Sequence, residues 1–192
     1  MADTDLEVAL LRAKMWMRSN GAEVLVDNLA PGAPATMISA VERRFGFPVP
    51  AELRALWSLH DGQKEEQNGF VEFRDLFGTE LALVEHDNMR ERYIDGDYGV
   101  LAAPVHPEEW SEVGLRPEEI SDRWIAFAGR DSDYLLVNAD TGRVFSATKD
   151  VPPLTLESES IAAWFLAYAD AMTAGEYDVE EGFGDCYLSK DD

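Results

Sequence analysis

Three histidines, His60, His86 and His106, and one cysteine, Cys186, are the residues of this 192-residue chain best suited to hold a metal or make a nucleophile. They are too few and too scattered for a structural zinc set, and no His-Glu-x-x-His occurs. Two acidic loops invite a calcium reading, Asp95-Gly96-Asp97 and Asp131-Ser132-Asp133. Both miss the EF-hand pattern, because the next alternate position holds Gly99 or Leu135 and no glutamate closes the loop. Polar turns at strand ends are the plainer reading. Gly182-Phe183-Gly184 lacks the third glycine of a dinucleotide loop, and Gly62-Gln63-Lys64 is no phosphate loop. No Gly-x-Ser-x-Gly elbow exists. His60 ends an apolar helical face, which favours a core or capping role over a base beside Asp61. Cys186 has no base near it in sequence, so nucleophilic use is not expected. The pairs Glu108-Glu109, Glu118-Glu119 and Glu180-Glu181 say little in so acidic a chain. No catalytic residue, cofactor or metal is therefore expected.

Charge is the strongest compositional signal. The formal net charge is −22; residues 1–60 carry 7 acids and 6 bases, and residues 61–192 carry 31 acids and 10 bases. Such a surface repels nucleic acid and anionic lipid and speeds encounter with basic partners, although solubility alone would also account for it. With one cysteine there is no intramolecular disulfide, which a reducing compartment permits. Met1 to Asp5 has two acids and no base, unlike a signal peptide, and no run reaches the ~20 apolar residues of a membrane span. A soluble, cytoplasmic protein is expected.

The elements that would position these residues follow from periodicity. Leu6, Leu10, Ala13 and Met17 mark one face of a first helix, with Thr4 and Glu7 as a capping box and Asn20-Gly21 as its stop. A Pro/Gly stretch at 30–34 follows. Ile38, Val41 and Phe45 make a second helix stopped by Gly46. Phe47-Pro48-Val49-Pro50 forces a stiff turn, because residues before proline avoid the helical region. Leu53, Leu56, Trp57 and His60 make a third helix ending at Gly62. A short strand is expected at Phe70–Phe73 and a helix from Leu81 to Tyr93. Runs at 124–128, 133–138 and 143–146, separated by turns at 129–132 and Asp140-Thr141-Gly142, read as an antiparallel meander. Ile161, Trp164, Phe165, Tyr168 and Met172 form the stripe of a last helix at 158–174, stopped by Gly175. Trp57, Trp124 and Trp164 fall on faces to be buried. The fold class is α+β, an antiparallel meander packed against helices. Residues 1–33 read as an N-terminal helix with linker, 34–175 as the main domain, and 176–192 as an acidic tail. Tyr177, Val179, Phe183, Tyr187 and Leu188 would let that tail dock.

Glu42, Phe45, Gly46, Pro48, Pro50, Leu53, Leu56, Trp57, Asp61 and Gly62 together resemble the signature of the SMI1/KNR4 (SUKH) family. In that family a helix ends in Glu-x-x-hydrophobic-Gly, a proline turn follows, and a second helix ends in Asn-Gly or Asp-Gly. The strands at 124–128 and 133–137, the Gly142–Phe145 turn and the helix with Trp164 and Phe165 fit the same pattern. The resemblance covers roughly residues 34–174. Gly62-Gln63 stands where the family often has a glycine pair. The resemblance implies the family's fold and, for bacterial members, a non-catalytic immunity protein that neutralises a toxin; fungal relatives act as regulatory scaffolds. No catalytic residues carry over.

The expected function is thus a toxin-neutralising binder whose acidic face meets a basic, nuclease-like toxin domain. The alternative is a regulatory protein-interaction scaffold with no toxin partner. On charge and expected exposure, partner binding falls to Asp95, Asp97, Glu108, Glu109, Trp110, Asp131 and Asp133, with Trp110 as the aromatic anchor.

Overall fold

The apolar runs at 124–128 and 134–137 become the two central strands of a sheet. The computed structural model describes residues 2–65, 68–89, 116, 119, 123–147, 154–182 and 185–190. Strand β1 (Asp75–Leu76), β2 (Trp124–Arg130), β3 (Asp133–Asn138), β4 (Val144–Ala147) and β5 (Thr155–Ser158) lie in that spatial order, every pair antiparallel. Ile125 pairs with Val137, and Leu136 with Phe145. Side chains of β2 and β3 are buried on both faces, which is why these strands read as continuous apolar runs instead of alternating ones. The register slips by one residue between Ala126 and Ala128, a bulge that leaves Phe127 unmatched.

Six helices surround this sheet in the described residues. They are α1 (Ala2–Ser19), α2 (Glu23–Asp27), α3 (Ala35–Phe45), α4 (Ala51–Leu59), α5 (Thr79–Met89) and α6 (Ile161–Ala174). Pro34 and Pro50 sit at the N-caps of α3 and α4, and Gly46 and Gly175 end α3 and α6 in the left-handed conformation. Ser160 caps α6 by accepting from Ala163 N at 3.2 Å. Helix α5 packs on β2 and α3, and α4 touches α1, α3 and α6. Trp57 of α4 is fully buried and donates from Nε1 to the Phe77 carbonyl at 3.0 Å, fixing α4 against the segment leading into α5. Trp124 and Phe145 meet edge-on at 5.1 Å between ring centroids on the same face of the sheet.

Helix α1 packs along α6, and Leu6, Leu10, Ala13 and Met17 belong to the same buried cluster as the sheet residues. Residues 177–190 form a hairpin, β6 (Tyr177–Gly182) with β7 (Asp185–Lys190), in which Tyr177, Cys186 and Leu188 are buried and Val179 is partly so. Phe183 lies outside the described residues.

Several local expectations change. Helix α1 begins before Thr4, so Thr4 lies within the first turn and does not cap it. Residues 70–73 are not a strand: Val71 and Arg74 exchange backbone hydrogen bonds of 3.1 and 2.9 Å around a turn, and Glu72 has φ +60°. The first strand lies just beyond, at Asp75–Leu76. Helix α5 starts at Thr79, two residues earlier than its apolar pattern suggests, and residues 90–93 lie outside the described residues. Strand β5 had no expectation, and residues 177–190, expected only as part of an acidic tail able to dock, form the β6–β7 hairpin.

Candidate functional site

The Asp61-Gly62-Gln63 triplet that ends the third apolar face organises the most evident cleft of the described residues. Gly62 has φ +75°, and a Cβ on it would stand 2.3 Å from the Gly78 nitrogen. Only a glycine lets the two backbones approach this way. That approach brings Asp61 to the start of α5. Its Oδ1 accepts from Thr79 N at 2.6 Å and its Oδ2 from Thr79 Oγ1 at 3.3 Å. A side chain 18 positions earlier therefore caps α5. Gln63 holds the opposite wall. Its Oε1 accepts from Phe70 N at 3.0 Å and Leu76 N at 2.8 Å, and its Nε2 donates to the Asn68 carbonyl at 3.0 Å and to Asp75 Oδ1 at 3.2 Å.

Between these walls lies a cleft of about 410 Å³. Leu76, Leu81 and Val84 give it an apolar side, and Asp61, Glu65, Asp75 and Glu80 give it four carboxylates. Two of these carboxylates are engaged inside the protein, Asp61 with Thr79 and Asp75 with Arg130 Nη2 at 2.9 Å. Glu65 and Glu80 are exposed and have no ion pair among the described residues. The cleft's lysine, Lys64, is turned toward α2, where its Nζ donates to the Asp27 carbonyl and its backbone N–H to the Asn28 carbonyl at 2.8 Å. Asn28 secures the same loop through its side chain, donating to Glu65 O at 3.1 Å and accepting from Glu65 N at 3.2 Å. The arrangement suits a basic side chain: an apolar wall for its methylenes, and carboxylates for its charged head.

The β2–β3 turn adjoins this cleft through β1. Asp131 and Ser132 turn the chain with φ of +53° and +69°, and Asp131 is exposed. Asp133 is only half-exposed and accepts from Arg74 Nε at 2.6 Å, so two ion pairs, Arg74–Asp133 and Arg130–Asp75, join β1 to the end of the β2–β3 hairpin. Arg74 also pairs with Glu72, whose other oxygen accepts from Tyr177 Oη at 2.7 Å. Burial, reinforced by Glu72, raises the Tyr177 hydroxyl far above the ordinary tyrosine value. The Tyr168 hydroxyl is likewise raised by burial; it accepts from Glu72 N at 2.9 Å and donates to Phe70 O at 3.2 Å. Of the acids and the tryptophan singled out from sequence, Asp131 and Asp133 stand here together. Asp95, Asp97, Glu108, Glu109 and Trp110 lie outside the described residues.

Among the described residues no three His, Cys, Asp or Glu side chains gather to hold a metal ion, and no helix is long and apolar enough to cross a membrane. His60 caps the end of α4: its Nδ1 bonds the Ala30 carbonyl at 2.9 Å and its Nε2 meets Lys14 Nζ at 2.5 Å. With lysine the donor, the ring is neutral and carries its proton on Nδ1. Burial lowers the His60 pKa, partly opposed by the Ala30 bond and reinforced by Lys14, while burial and Arg18 lower that of Lys14. Cys186 is buried in β7, where its N–H donates to Asn68 Oδ1 at 2.8 Å.

This succession of an αα turn bounded by Pro48 and Pro50, an Asp-Gly pair, an antiparallel meander and a closing helix is matched by the model of the SMI1 / KNR4 family (SUKH-1) over residues 32–167. The chain belongs to that family. Curated proteins yielded no match to it. In this SUKH-1 protein the matched span contains the whole cleft, the described five-stranded sheet and the first half of α6. Helices α1 and α2 precede the span and the β6–β7 hairpin follows it. The cleft residues Gln63, Glu65, Asp75 and Glu80 escaped the reading from sequence. Its one available signal was the Asp61-Gly62 pair, which marks a helix end but not what the backbone meets there.

Proposed function

We propose that this SUKH-1 protein is a non-catalytic immunity protein of the cytoplasm, which neutralises a toxin by taking a lysine or arginine of the toxin into the acid-rimmed cleft. The observation that carries this reading is the pairing of two exposed carboxylates without an ion pair among the described residues, Glu65 and Glu80, with the apolar wall of Leu76, Leu81 and Val84. Asp131 extends the acidic rim at the β2–β3 turn. Asp95, Asp97, Glu108, Glu109 and Trp110 join the same proposal on charge and residue type alone. The polar groups of the cleft's walls serve backbone donors and ion pairs, which suits a binder better than an enzyme. Family membership supports the reading, since SUKH proteins include immunity proteins. The excess of 31 acids over 10 bases in residues 61–192 supports a basic partner, whose encounter it would accelerate.

The test is co-expression with the product of the neighbouring gene, scoring survival and co-purification. Rescue with a one-to-one complex is expected, with an on-rate that falls steeply as salt rises. The double variant Glu65→Lys/Glu80→Lys should weaken that complex at least about tenfold while leaving the melting temperature unchanged, because both side chains are exposed. A complex indifferent to salt and to this double variant would place the interface elsewhere. Weak binding to several host proteins without rescue would move the assignment to a regulatory scaffold.

A further inference from the structure

Helix α1 is apolar on two faces, and only one of them is covered. Leu6, Leu10, Ala13 and Met17 pack into the core against α6. Val8, Leu11 and Met15 stand on the outer face, 49%, 57% and 61% exposed. With exposed Thr4 and Arg18 they follow spacings of four and three residues, the seam of a helix that pairs with another helix.

The charges on α1 say what covers the seam. Asp5 and Glu7 lie before Val8, whereas Arg12, Lys14 and Arg18 lie at or beyond Leu11. The helix is thus acidic in its first half and basic in its second. Lys14 is half-buried against His60, but Arg12 and Arg18 reach the surface and make only solvent-exposed pairs, with Asp170 at 2.6 Å and Asp27 at 3.4 Å. Such pairs hold little energy and leave the guanidinium free to be shared. An antiparallel copy of the same helix, crossing near Leu11, brings Asp5 and Glu7 of one chain to Arg12 and Arg18 of the other, twice. The helix carries three acids and three bases in a protein of net charge −22, so two copies meet here with the least repulsion.

We infer that this protein self-associates through α1, as a two-fold antiparallel pair of helices with Val8, Leu11 and Met15 at the seam. This surface is separate from the acidic cleft and does not depend on the partner proposed for it. The helix is 18 residues long. One helix pair of that length covers less than the ~1,200 Å² of a standard interface, so the dimer is of modest affinity, on the order of tens of micromolar.

Sedimentation equilibrium of the full chain tests this. Between about 10 and 500 µM the mass should climb from 21.4 kDa toward twice that value. Leu11→Glu should weaken association by about tenfold or more with an unchanged circular dichroism melt, since Leu11 is exposed. The register is tested by charge: Asp5→Arg/Glu7→Arg and Arg12→Glu/Arg18→Glu should each be monomeric alone, and an equal mixture of the two should dimerise. A wild type monomeric throughout that range overturns the inference, as does a dimer that survives Leu11→Glu. A mixture that stays monomeric overturns the antiparallel pairing.

Discussion

Replacing Gln63 with leucine leaves an apolar side chain of roughly similar size and removes every polar contact the glutamine side chain makes. The consequence can be worked out bond by bond. Two backbone donors, Phe70 N and Leu76 N, lose the oxygen they share at 3.0 and 2.8 Å. A buried donor left without a partner costs about 1–3 kcal/mol. The cleft beside Gln63 admits water, so the lower half of that range applies and the two together cost about 2–4 kcal/mol. For a chain of this size that is a fall in melting temperature of about 6–12 °C. Gln63→Glu separates the acceptor from the donor. It keeps an oxygen for both N–H groups and sets a carboxylate against Asp75, where the amide nitrogen had donated at 3.2 Å. Its loss should be smaller than that of Gln63→Leu, and it should shrink as pH falls, because a proton on the introduced carboxyl removes its repulsion from Asp75. Thermal and urea melts at pH 7.5 and 5 read both effects. The reasoning fails if Gln63→Leu melts within about 1 °C of the wild type, or if the two variants lose equally at both pH values.

Burial of His60, reinforced by Lys14, sets a second pH dependence: His60 is held below its ordinary 6.5, so its neutral form contributes stability present above pH 6.5 and lost as pH falls below it. Relative to His60→Gln, the wild type should lose stability between pH 6.5 and 5 in urea melts, and a parallel decline of both proteins would refute this. Arg143→Met should destabilise by about 3–5 kcal/mol, because it strips the 2.7 Å partner from Glu119, whose side chain is fully buried. Replacing both residues with methionine should recover much of that loss in the same melts.

The parts legible in the sequence were those specified locally. Pro48, Pro50, Gly46 and Gly62 bracket α3 and α4, and turn residues at 129–132 and 140–142 bracket β2, β3 and β4, so pattern and punctuation agree there. Strand β5 was missed because Thr-Leu-Glu-Ser offers one apolar side chain, Leu156, which only the edge of an existing sheet makes use of. The 177–190 hairpin was hidden by its acids. Residues 70–73 show the reverse error: Phe-Val-Glu-Phe has strand composition, yet Tyr168 and Tyr177, about 100 positions away, hold Glu72 in the left-handed region. The cleft was not legible for the same reason. It exists because Gly62 meets Gly78 and because Gln63 reaches across to Leu76, and neither event leaves a local periodicity. Charge singled out Asp131 and Asp133, which lie at the turn beside the cleft, but not the cleft residues themselves.

The packing of α1 on α6 has a consequence for how the chain is made. Translation delivers α1 first, whereas Ile161, which begins its covering helix, comes 142 residues after Ser19. At about 5–20 residues per second, α1 is synthesised roughly seven to thirty seconds before α6. During that interval Leu6, Leu10 and Met17 have only α2 and α4 beside them and lack the cover of α6, and Val8, Leu11 and Met15 are bare on the other side. The nascent chain therefore presents a helix sticky on two faces, the kind of segment that chaperones engage and that neighbouring nascent chains on a polysome can capture. Helix α1 gains its cover from α6 only once residues 161–174 are made, so a premature stop near Ile161 decides the fate of the first helix as much as of the last.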